Sequence, residues 1–162
     1  MTLKYEILDV KYLDLALDFV YDTYLTTIKD EDSELGQIGF YEDYINNDKL
    51  NAEFRSGKKQ FIACVDVNKI VGVISISNDG FIDYLFINRC YQGLKIGSNL
   101  LDRAVYYAKQ NKLSHLNLDS SISSINFYLK YGFYKTGEEV LCNEVRSVPM
   151  QYDINYDIEY DI

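Results

Sequence analysis

Three consecutive apolar runs constrain the fold of this chain more than any other feature of its sequence. They are QFIACVDV (60–67), KIVGVISIS (69–77) and FIDYLFIN (81–88), and each is rich in β-branched and aromatic residues. Two short stretches separate these runs, the pair Asn68-Lys69 and the triplet Asn78-Asp79-Gly80. Both are typical of hairpin turns. The pattern therefore predicts three antiparallel strands joined by short turns.

The segments around these runs alternate between helical and extended periodicity. Before the runs we expect a strand at 4–8, followed by three helices. The first helix spans 11–24, the second begins near Gly39, and the short third one spans 50–55. After them we expect a helix from Gly97 to about Asn111, a strand at 115–119, a helix that stops at Gly132, and strands at 133–140 and 146–154. This order predicts one mixed α/β domain, residues 1–162, with a central sheet of six to seven strands flanked by about four helices. The sheet should be antiparallel at first and parallel across a later helix crossover.

Composition limits the classes of function. The formal net charge of −9 argues against a nucleic-acid partner and weakly favours a cationic small molecule such as an amine. No window approaches 18 uninterrupted apolar residues, so no membrane span is expected. The first ten residues lack the layout of a signal peptide, which predicts a cytoplasmic protein.

Cysteine and histidine usage does not indicate a metal site. Cys64, Cys90 and Cys142 are widely separated, and His115 is the only histidine. A zinc site needs four ligands, usually with paired spacing, and no such pairs are present. We therefore expect no metal, reduced thiols, and a structural place for His115 at the start of a strand.

The stretch RCYQGLKIGSNLL (89–101) joins a predicted strand to a predicted helix through two glycines. Such a turn presents backbone N–H groups at a helix N-terminus, where the helix dipole also attracts anions. The glycine pattern is neither a Walker loop nor the dinucleotide fingerprint. From the turn alone, a phosphate site and a plain connection remain equally open.

Two motifs together resemble the GNAT acyltransferase superfamily. The stretch YQGLKIGSNLL resembles that family's pyrophosphate loop, Gln/Arg-x-x-Gly-x-Gly/Ala, with Gln92 first and Gly97 last. The stretch SSISSINFYLKYGF (120–133) resembles its second motif, through Ser121, Ser124, Phe127-Tyr128 and Gly132-Phe133. The stretches GFYEDYI and NEVRSVPM also resemble one bacterial branch, so the likeness covers most of the chain.

The resemblance implies a GNAT-like fold and direct transfer of an acetyl group from acetyl-CoA to an amine. Tyr128 matches the family's general acid, which protonates the departing thiolate; packing is the alternative role for this tyrosine. Phe86 and Ile87 would pair with the pantetheine arm as an added strand. The other expected cofactor-binding residues are Gln92, Gly93, Leu94, Lys95, Ile96, Gly97, Ser98, Ser121 and Ser124.

Lys95 departs from the family pattern, because a glycine usually stands at its position. Glycine is used there for close approach to phosphate or for an unusual φ. A lysine with helical φ could still offer its N–H, and its ammonium could add a charge to the phosphates. Alternatively, Lys95 faces solvent and the loop binds more weakly.

An attacking ammonium must first lose a proton. Asp83, in the run FIDYLFI, is the carboxylate expected nearest the reaction centre. Glu42 and Asp43, in the segment that would form the wall of the acceptor pocket, are alternatives, and a water chain is a third.

The C-terminal stretch YDINYDIEYDI (152–162) alternates apolar and polar residues with period two. This predicts a long strand with one buried face, whose end could cover a partner in a homodimer; a frayed acidic terminus is the alternative.

Three functions therefore stay open: an amine N-acetyltransferase, a CoA-binding sensor without turnover, and a structural dimer module. The first is favoured by the combination of Tyr128 and Gly97, whereas Lys95 keeps the second open.

Overall fold

The structure, a computed structural model, describes residues 1–162 and contains nine strands and five α-helices. The strands are β1 (Leu3–Ile7), β2 (Lys59–Asp66), β3 (Lys69–Ser77), β4 (Phe81–Ile82), β5 (Leu85–Ile87), β6 (His115–Ser120), β7 (Tyr134–Lys135), β8 (Val140–Cys142) and β9 (Val145–Asp153). The helices are α1 (Leu13–Thr27), α2 (Glu34–Phe40), α3 (Asp48–Arg55), α4 (Ile96–Gln110) and α5 (Ile125–Tyr131). None of these helices combines the length and the apolar character that a bilayer crossing requires.

The strands form two sheets rather than one. The first sheet is antiparallel, with the order β1-β2-β3-β5. The second has the order β4-β6-β9-β7, and β8 also pairs with β9. Strands β4 and β6 form the one parallel pair, on either side of the crossover that contains α4. The predicted mixed α/β fold, antiparallel and then parallel across a helix crossover, is confirmed.

The third apolar run does not form one continuous strand. Its first part, β4, pairs with β6, and its second part, β5, pairs with β3. The chain bends between them at Asp83 and Tyr84, and both backbone N–H groups donate to Oγ of the fully buried Ser75, at 3.0 Å each. The Ser75 N–H in turn donates to the Tyr84 carbonyl at 2.9 Å. One serine therefore satisfies the polar groups at the point where the two sheets separate.

The apolar core has two parts, one on each side of the first sheet. Neighbouring residues of β3 show this division, because Val73 packs with α1 and Phe40, whereas Ile74 packs with α4. The face of α4 predicted from its periodicity is fully buried in the second part: Ile96, Leu100, Leu101, Ala104, Val105 and Ala108.

Helix α2 begins earlier than the sequence indicated. The expectation of a start near Gly39 was wrong, because Ser33 caps the helix by accepting the Gly36 N–H at 3.1 Å. After Phe40 the helix continues as a π-helix over Tyr41–Ile45. Its glycines are explained by packing: a Cβ at Gly36 or Gly39 would lie 2.6 Å from a backbone oxygen of the β8–β9 turn.

The other strand boundaries also differ in places. The first hairpin turns through Val67 and Asn68, both with positive φ, rather than through Asn68-Lys69. The strand predicted over 133–140 forms only at β7, and the chain pairs again from Val140.

The prediction of a strand over residues 152–162 was wrong beyond Asp153. The partner strand β6 begins at His115, which lies opposite Asp153, so its pairing is extended by only one more backbone bond, from the Ile154 N–H to the Ser114 carbonyl at 2.9 Å. Of the remaining residues, Tyr160 packs against the protein's own core beside Tyr152, whereas Tyr156, Ile158 and Ile162 are exposed. The expected homodimer rested on a C-terminal strand that extends beyond the domain, and this strand does not form. The homodimer itself stays an untested prediction.

We predict that Ser75→Ala destabilises the protein by about 2–4 kcal/mol. The substitution leaves the Asp83 and Tyr84 N–H groups without their acceptor, and each buried unsatisfied group costs about 1–3 kcal/mol. Urea denaturation of the variant measures this loss. Ser56→Ala, which removes an exposed hydroxyl, is the control and should change stability by less than about 0.5 kcal/mol. Equal stabilities for the two variants would contradict the role given to Ser75.

Candidate active site

Two cavities meet where the sheets separate. The larger, about 810 Å³, follows β5, the turn after it and the start of α4. The smaller, about 390 Å³, lies between α2, the ends of β4 and β6, and the β8–β9 hairpin. Five residues line both: Ile28, Leu85, Phe86, Ser124 and Tyr128. The cavities therefore have a common wall that contains Tyr128.

The larger cavity collects most of the residues predicted from sequence to bind a cofactor. They are Phe86, Ile87, Gln92, Gly93, Lys95, Ile96, Gly97, Ser98 and Ser124. Two predicted residues lie elsewhere: Ser121 lines the smaller cavity, and Leu94 is exposed and lines neither.

The turn before α4 is left-handed at two positions. Gly93 has φ +81°, and Lys95, directly before the helix, has φ 60° and ψ 16°. For a residue with a Cβ this conformation costs roughly 1–2 kcal/mol, which explains why a glycine is usual here. Lys95 makes no side-chain cap, so the first N–H groups of α4 have no side-chain acceptor at the cavity. Lys95 therefore adopts the unusual φ for which a glycine is used, and not a right-handed helical φ.

Gly97 is required for packing as well. A Cβ at this position would lie 2.9 Å from Cζ of Phe127, on α5. Gly97 and Phe127 therefore pack directly against each other in the lining of the larger cavity.

Tyr128 is the most enclosed polar side chain that both cavities share. It is 7% exposed and lies between Phe127 and Phe133, with ring centroids at 5.2 and 5.4 Å. Its hydroxyl makes no hydrogen bond within the protein, and because it is not one of the fully enclosed polar atoms, it opens onto the cavities that the side chain lines. Burial raises the pKa of Tyr128 well above that of a free phenol, so the hydroxyl keeps its proton at neutral pH.

The smaller cavity is strongly acidic and partly aromatic. The charged side chains that line it are one cation, Arg146, and five carboxylates: Glu31, Asp32, Asp43, Asp83 and Asp119. Three aromatic rings, those of Tyr24, Phe40 and Tyr44, form a stack on one side. Burial raises the pKa of Tyr44 to about 12, and Asp119, Asp83 and Asp43 add to this effect. No group of three or more His, Cys, Asp or Glu side chains is placed to hold a metal ion.

Asp83 lies in this cavity and shares the Lys59 ammonium with Glu53, whose carboxylate lies 3.2 Å from Lys59 Nζ. Its carboxylate accepts from Lys59 Nζ at 2.6 Å, and the two side chains are only 10% and 12% exposed. Burial raises the pKa of Asp83, and the Lys59 ammonium opposes that rise. Of the alternatives, Asp43 lines the cavity and accepts from Asn143 at 2.6 Å, whereas exposed Glu42 lines neither cavity.

Sequence reasoning missed Asp119, Glu31 and Tyr44. Asp119 follows Leu118 of β6, which pairs with Ile82 of β4, so Asp119 and Asp83 continue two neighbouring parallel strands. Sequence alternation alone could not reveal this neighbourhood, because it does not specify which strands pair.

Residues 27–154 match the model of an acetyltransferase (GNAT) domain, and the chain belongs to the GNAT acetyltransferase family. Among curated proteins, none matches the chain in sequence.

Solved structures with the same fold agree with this assignment. The PaiA N-acetyltransferase of Thermoplasma acidophilum, in complex with coenzyme A, has a TM-score of 0.76 and 20% identity, over 94% of this chain and 99% of that chain. A GCN5-related N-acetyltransferase from Rhodopseudomonas palustris has a TM-score of 0.77 and 17% identity, over 94% and 96%. A GNAT-family acetyltransferase from Staphylococcus aureus Mu50 has a TM-score of 0.67 and 17% identity, over 95% and 100%.

We predict that Lys59→Met destabilises the protein by about 3–5 kcal/mol at pH 7. The variant leaves the Asp83 carboxylate buried without its cation, which is far costlier than losing a surface ion pair. Arg55→Met is the control, because the Arg55–Asp14 pair is mostly exposed and is worth less than about 1 kcal/mol. Urea denaturation measures both variants.

The loss in Lys59→Met should shrink as the pH falls. The folded-state pKa of Asp83 is raised, and removal of Lys59 raises it further, so the folded variant binds a proton more readily than the unfolded chain. Its stability deficit should be complete above that folded pKa and should decrease below it. A deficit that stays constant from pH 7 to pH 5 would contradict a buried, unpaired carboxylate.

Proposed function

We propose that the protein transfers an acetyl group from acetyl-CoA directly to an amine, with Tyr128 as the general acid. The observation that carries this proposal is the Tyr128 hydroxyl, which belongs to a buried side chain, lacks a partner in the protein, and opens onto the cavities whose common wall contains it. Acetyl-CoA would occupy the larger cavity, and the amine would enter through the smaller one.

The larger cavity offers two kinds of contact to a CoA molecule. The free N–H groups at the start of α4, with the helix dipole, suit the pyrophosphate. Strand β5 lies at the edge of the first sheet, so Phe86 and Ile87 have a free backbone edge for the pantetheine arm. Arg89 and Lys95 line the same cavity and add positive charge, whereas Asp30 is its one carboxylate. This local balance suits an anionic cofactor despite the negative net charge of the chain.

The chemical step forms one C–N bond and breaks one C–S bond. The neutral amine attacks the thioester carbonyl, and the tetrahedral intermediate expels the CoA thiolate. Tyr128 donates its proton to that sulfur, since a phenol holds its proton at neutral pH whereas a thiol of pKa about 8.5 can receive it as the bond breaks. The proton that the amine loses goes to a base in the smaller cavity, and the phenol is reprotonated from solvent.

Two carboxylates compete for the role of base. Asp83, the residue that the sequence favours, would have to give up its ion pair with Lys59. Asp119 lines the same cavity and takes part in no ion pair, and partial desolvation raises the pKa of its carboxyl. We therefore favour Asp119 as the proton acceptor and Asp83 as a neighbour that maintains the negative potential.

We predict that acetyl-CoA at about 100 times its Kd raises the Tm by roughly 5–10 °C and that Ser98→Asp abolishes this rise. Ligand at that level stabilises the native state by about 2.7 kcal/mol. An aspartate in the first turn of α4 suits the helix dipole, so the variant should fold, but its charge repels the pyrophosphate. Ser98→Asn is the neutral control of the same shape and should keep most of the rise. An unchanged rise in Ser98→Asp would mean that the turn is only a connection.

We predict that Tyr128→Phe lowers kcat by roughly 10²–10⁴-fold and leaves acetyl-CoA binding unchanged. The variant keeps the ring and its packing and removes only the proton donor, so the acceptor KM should stay similar. Exposed Cys90 and Cys142 react with thiol reagents, so the acetylated amine is best measured by mass spectrometry.

Tyr106→Phe, at an exposed position of α4, is the matched control and should be fully active. Normal turnover by Tyr128→Phe would show that this tyrosine only packs in the core. A wild-type protein that binds acetyl-CoA but acetylates no amine would support the sensor instead.

A further inference from the structure

The two cavities differ in the sign of their charge. The larger cavity is lined by Arg89 and Lys95 against a single carboxylate, Asp30. The smaller cavity is lined by five carboxylates against a single cation, Arg146. A cofactor-binding domain with a uniformly acidic surface would not show this contrast, so the charge of the smaller cavity needs its own explanation.

Neighbouring cations do not neutralise most of that charge. Arg146 is bound to Glu139 at 2.6 Å, outside the cavity lining, and Asp83 is bound to Lys59. The other four carboxylates, Glu31, Asp32, Asp43 and Asp119, take part in no ion pair. Two of them accept hydrogen bonds only from neutral donors, Asp32 from Tyr24 at 2.5 Å and Asp43 from Asn143 at 2.6 Å. Four carboxylates around one small cavity therefore lack a counter-charge within the protein; Asp32 and Asp43 are partly buried, whereas Glu31 and Asp119 are exposed.

Two features besides charge suit this cavity to a ligand. The unpartnered Tyr128 hydroxyl, in a side chain more than nine-tenths buried, lies in its wall. The stacked rings of Tyr24, Phe40 and Tyr44 give it an aromatic side, and Tyr44 is the partly exposed ring of this stack that an ammonium could contact by cation–π attraction. Its volume of about 390 Å³ is that of a small-molecule site.

The charges are also distributed unevenly within the cavity. Asp32 accepts a hydrogen bond from the hydroxyl of Tyr24, at one end of the aromatic stack, and Asp43 directly precedes Tyr44, at its other end. Neither carboxylate is hydrogen-bonded to Tyr128, which lies on α5. An amine at Tyr128 alone would therefore leave the carboxylates beside the aromatic stack without a counter-charge.

We infer that the acceptor is a small amine with at least two positive charges, whose reacting nitrogen lies at Tyr128 while a second ammonium lies among the carboxylates near Tyr44. This inference rests on the proposed acetyl transfer and specifies its substrate class as a linear diamine or polyamine. The second ammonium would be held by Asp43, with Glu31 and Asp32 on the neighbouring turn after α1.

A four-carbon series of amines tests the inference, because its members differ mainly in charge. Butane-1,4-diamine should be acetylated with a kcat/KM at least tenfold above that of n-butylamine, and 4-aminobutanoate should be the poorest acceptor. Salt should reduce the advantage of the diamine by screening. Equal kcat/KM values for the diamine and the monoamine, or a preference for the amino acid or a peptide amine, would overturn the inference and leave the proposed acetyl transfer intact.

Calorimetry separates binding of the diamine from its acetylation. Titration of butane-1,4-diamine into the CoA-loaded protein should show binding, with n-butylamine at least tenfold weaker. Diamine binding without any acetylated product would support the ligand class and overturn the proposed function. Absence of diamine binding would overturn the inference itself.

Asp43→Asn provides the matched variant, because asparagine keeps the shape and can still accept from Asn143. It should lower kcat/KM roughly tenfold for the diamine, as expected for the loss of a charge-assisted contact, and little for n-butylamine. Glu6→Gln, on the exposed side of β1 and outside both cavities, changes the net charge equally and should leave both values unchanged. An equal loss for both amines in Asp43→Asn would show that this residue does not bind a second ammonium.

Discussion

The hydroxyl of Ser75 is the contact on which the arrangement of both cavities depends. By accepting two successive backbone N–H groups, at Asp83 and Tyr84, it allows one apolar run to leave the first sheet and join the second. Without this acceptor, the bend would expose two unsatisfied donors inside the core. Because the run divides there, β5 becomes an edge strand beside the larger cavity, and β4 places Asp83 in the smaller one.

The sequence predicted those parts of the fold that depend on local periodicity. The apolar runs, helix α4 and its buried face follow from neighbouring residues alone, and the structure confirms them. The division of FIDYLFIN was not predictable in this way, because it requires Ser75 to meet the run across a hairpin. The prediction of a long C-terminal strand was wrong for a similar reason. The alternation of apolar and polar residues persists to Ile162, but a strand also needs a partner, and β6 provides none beyond His115.

The same distinction applies to the candidate site. Gln92, Gly97 and Tyr128 lie in contiguous motifs, so a resemblance could identify them and the structure brings them to one region. Glu31, Asp43 and Asp119 come from three separate elements, and each looks like an ordinary solvated charge in the sequence. Lys95 was predictable only in part. The sequence shows that it departs from the motif, whereas its left-handed conformation is seen only in the structure.

Under the proposed acetyl transfer, the unmatched carboxylates of the smaller cavity would affect product release as well as substrate capture. Acetylation converts an ammonium into a neutral amide, so the molecule leaves the reaction with one positive charge fewer than it brought. A cavity with several negative charges attracts that product less than a fresh substrate, since Coulomb attraction scales with charge. The chemical step itself would thus weaken the hold on the product, and the enzyme would favour single acetylation without any moving part.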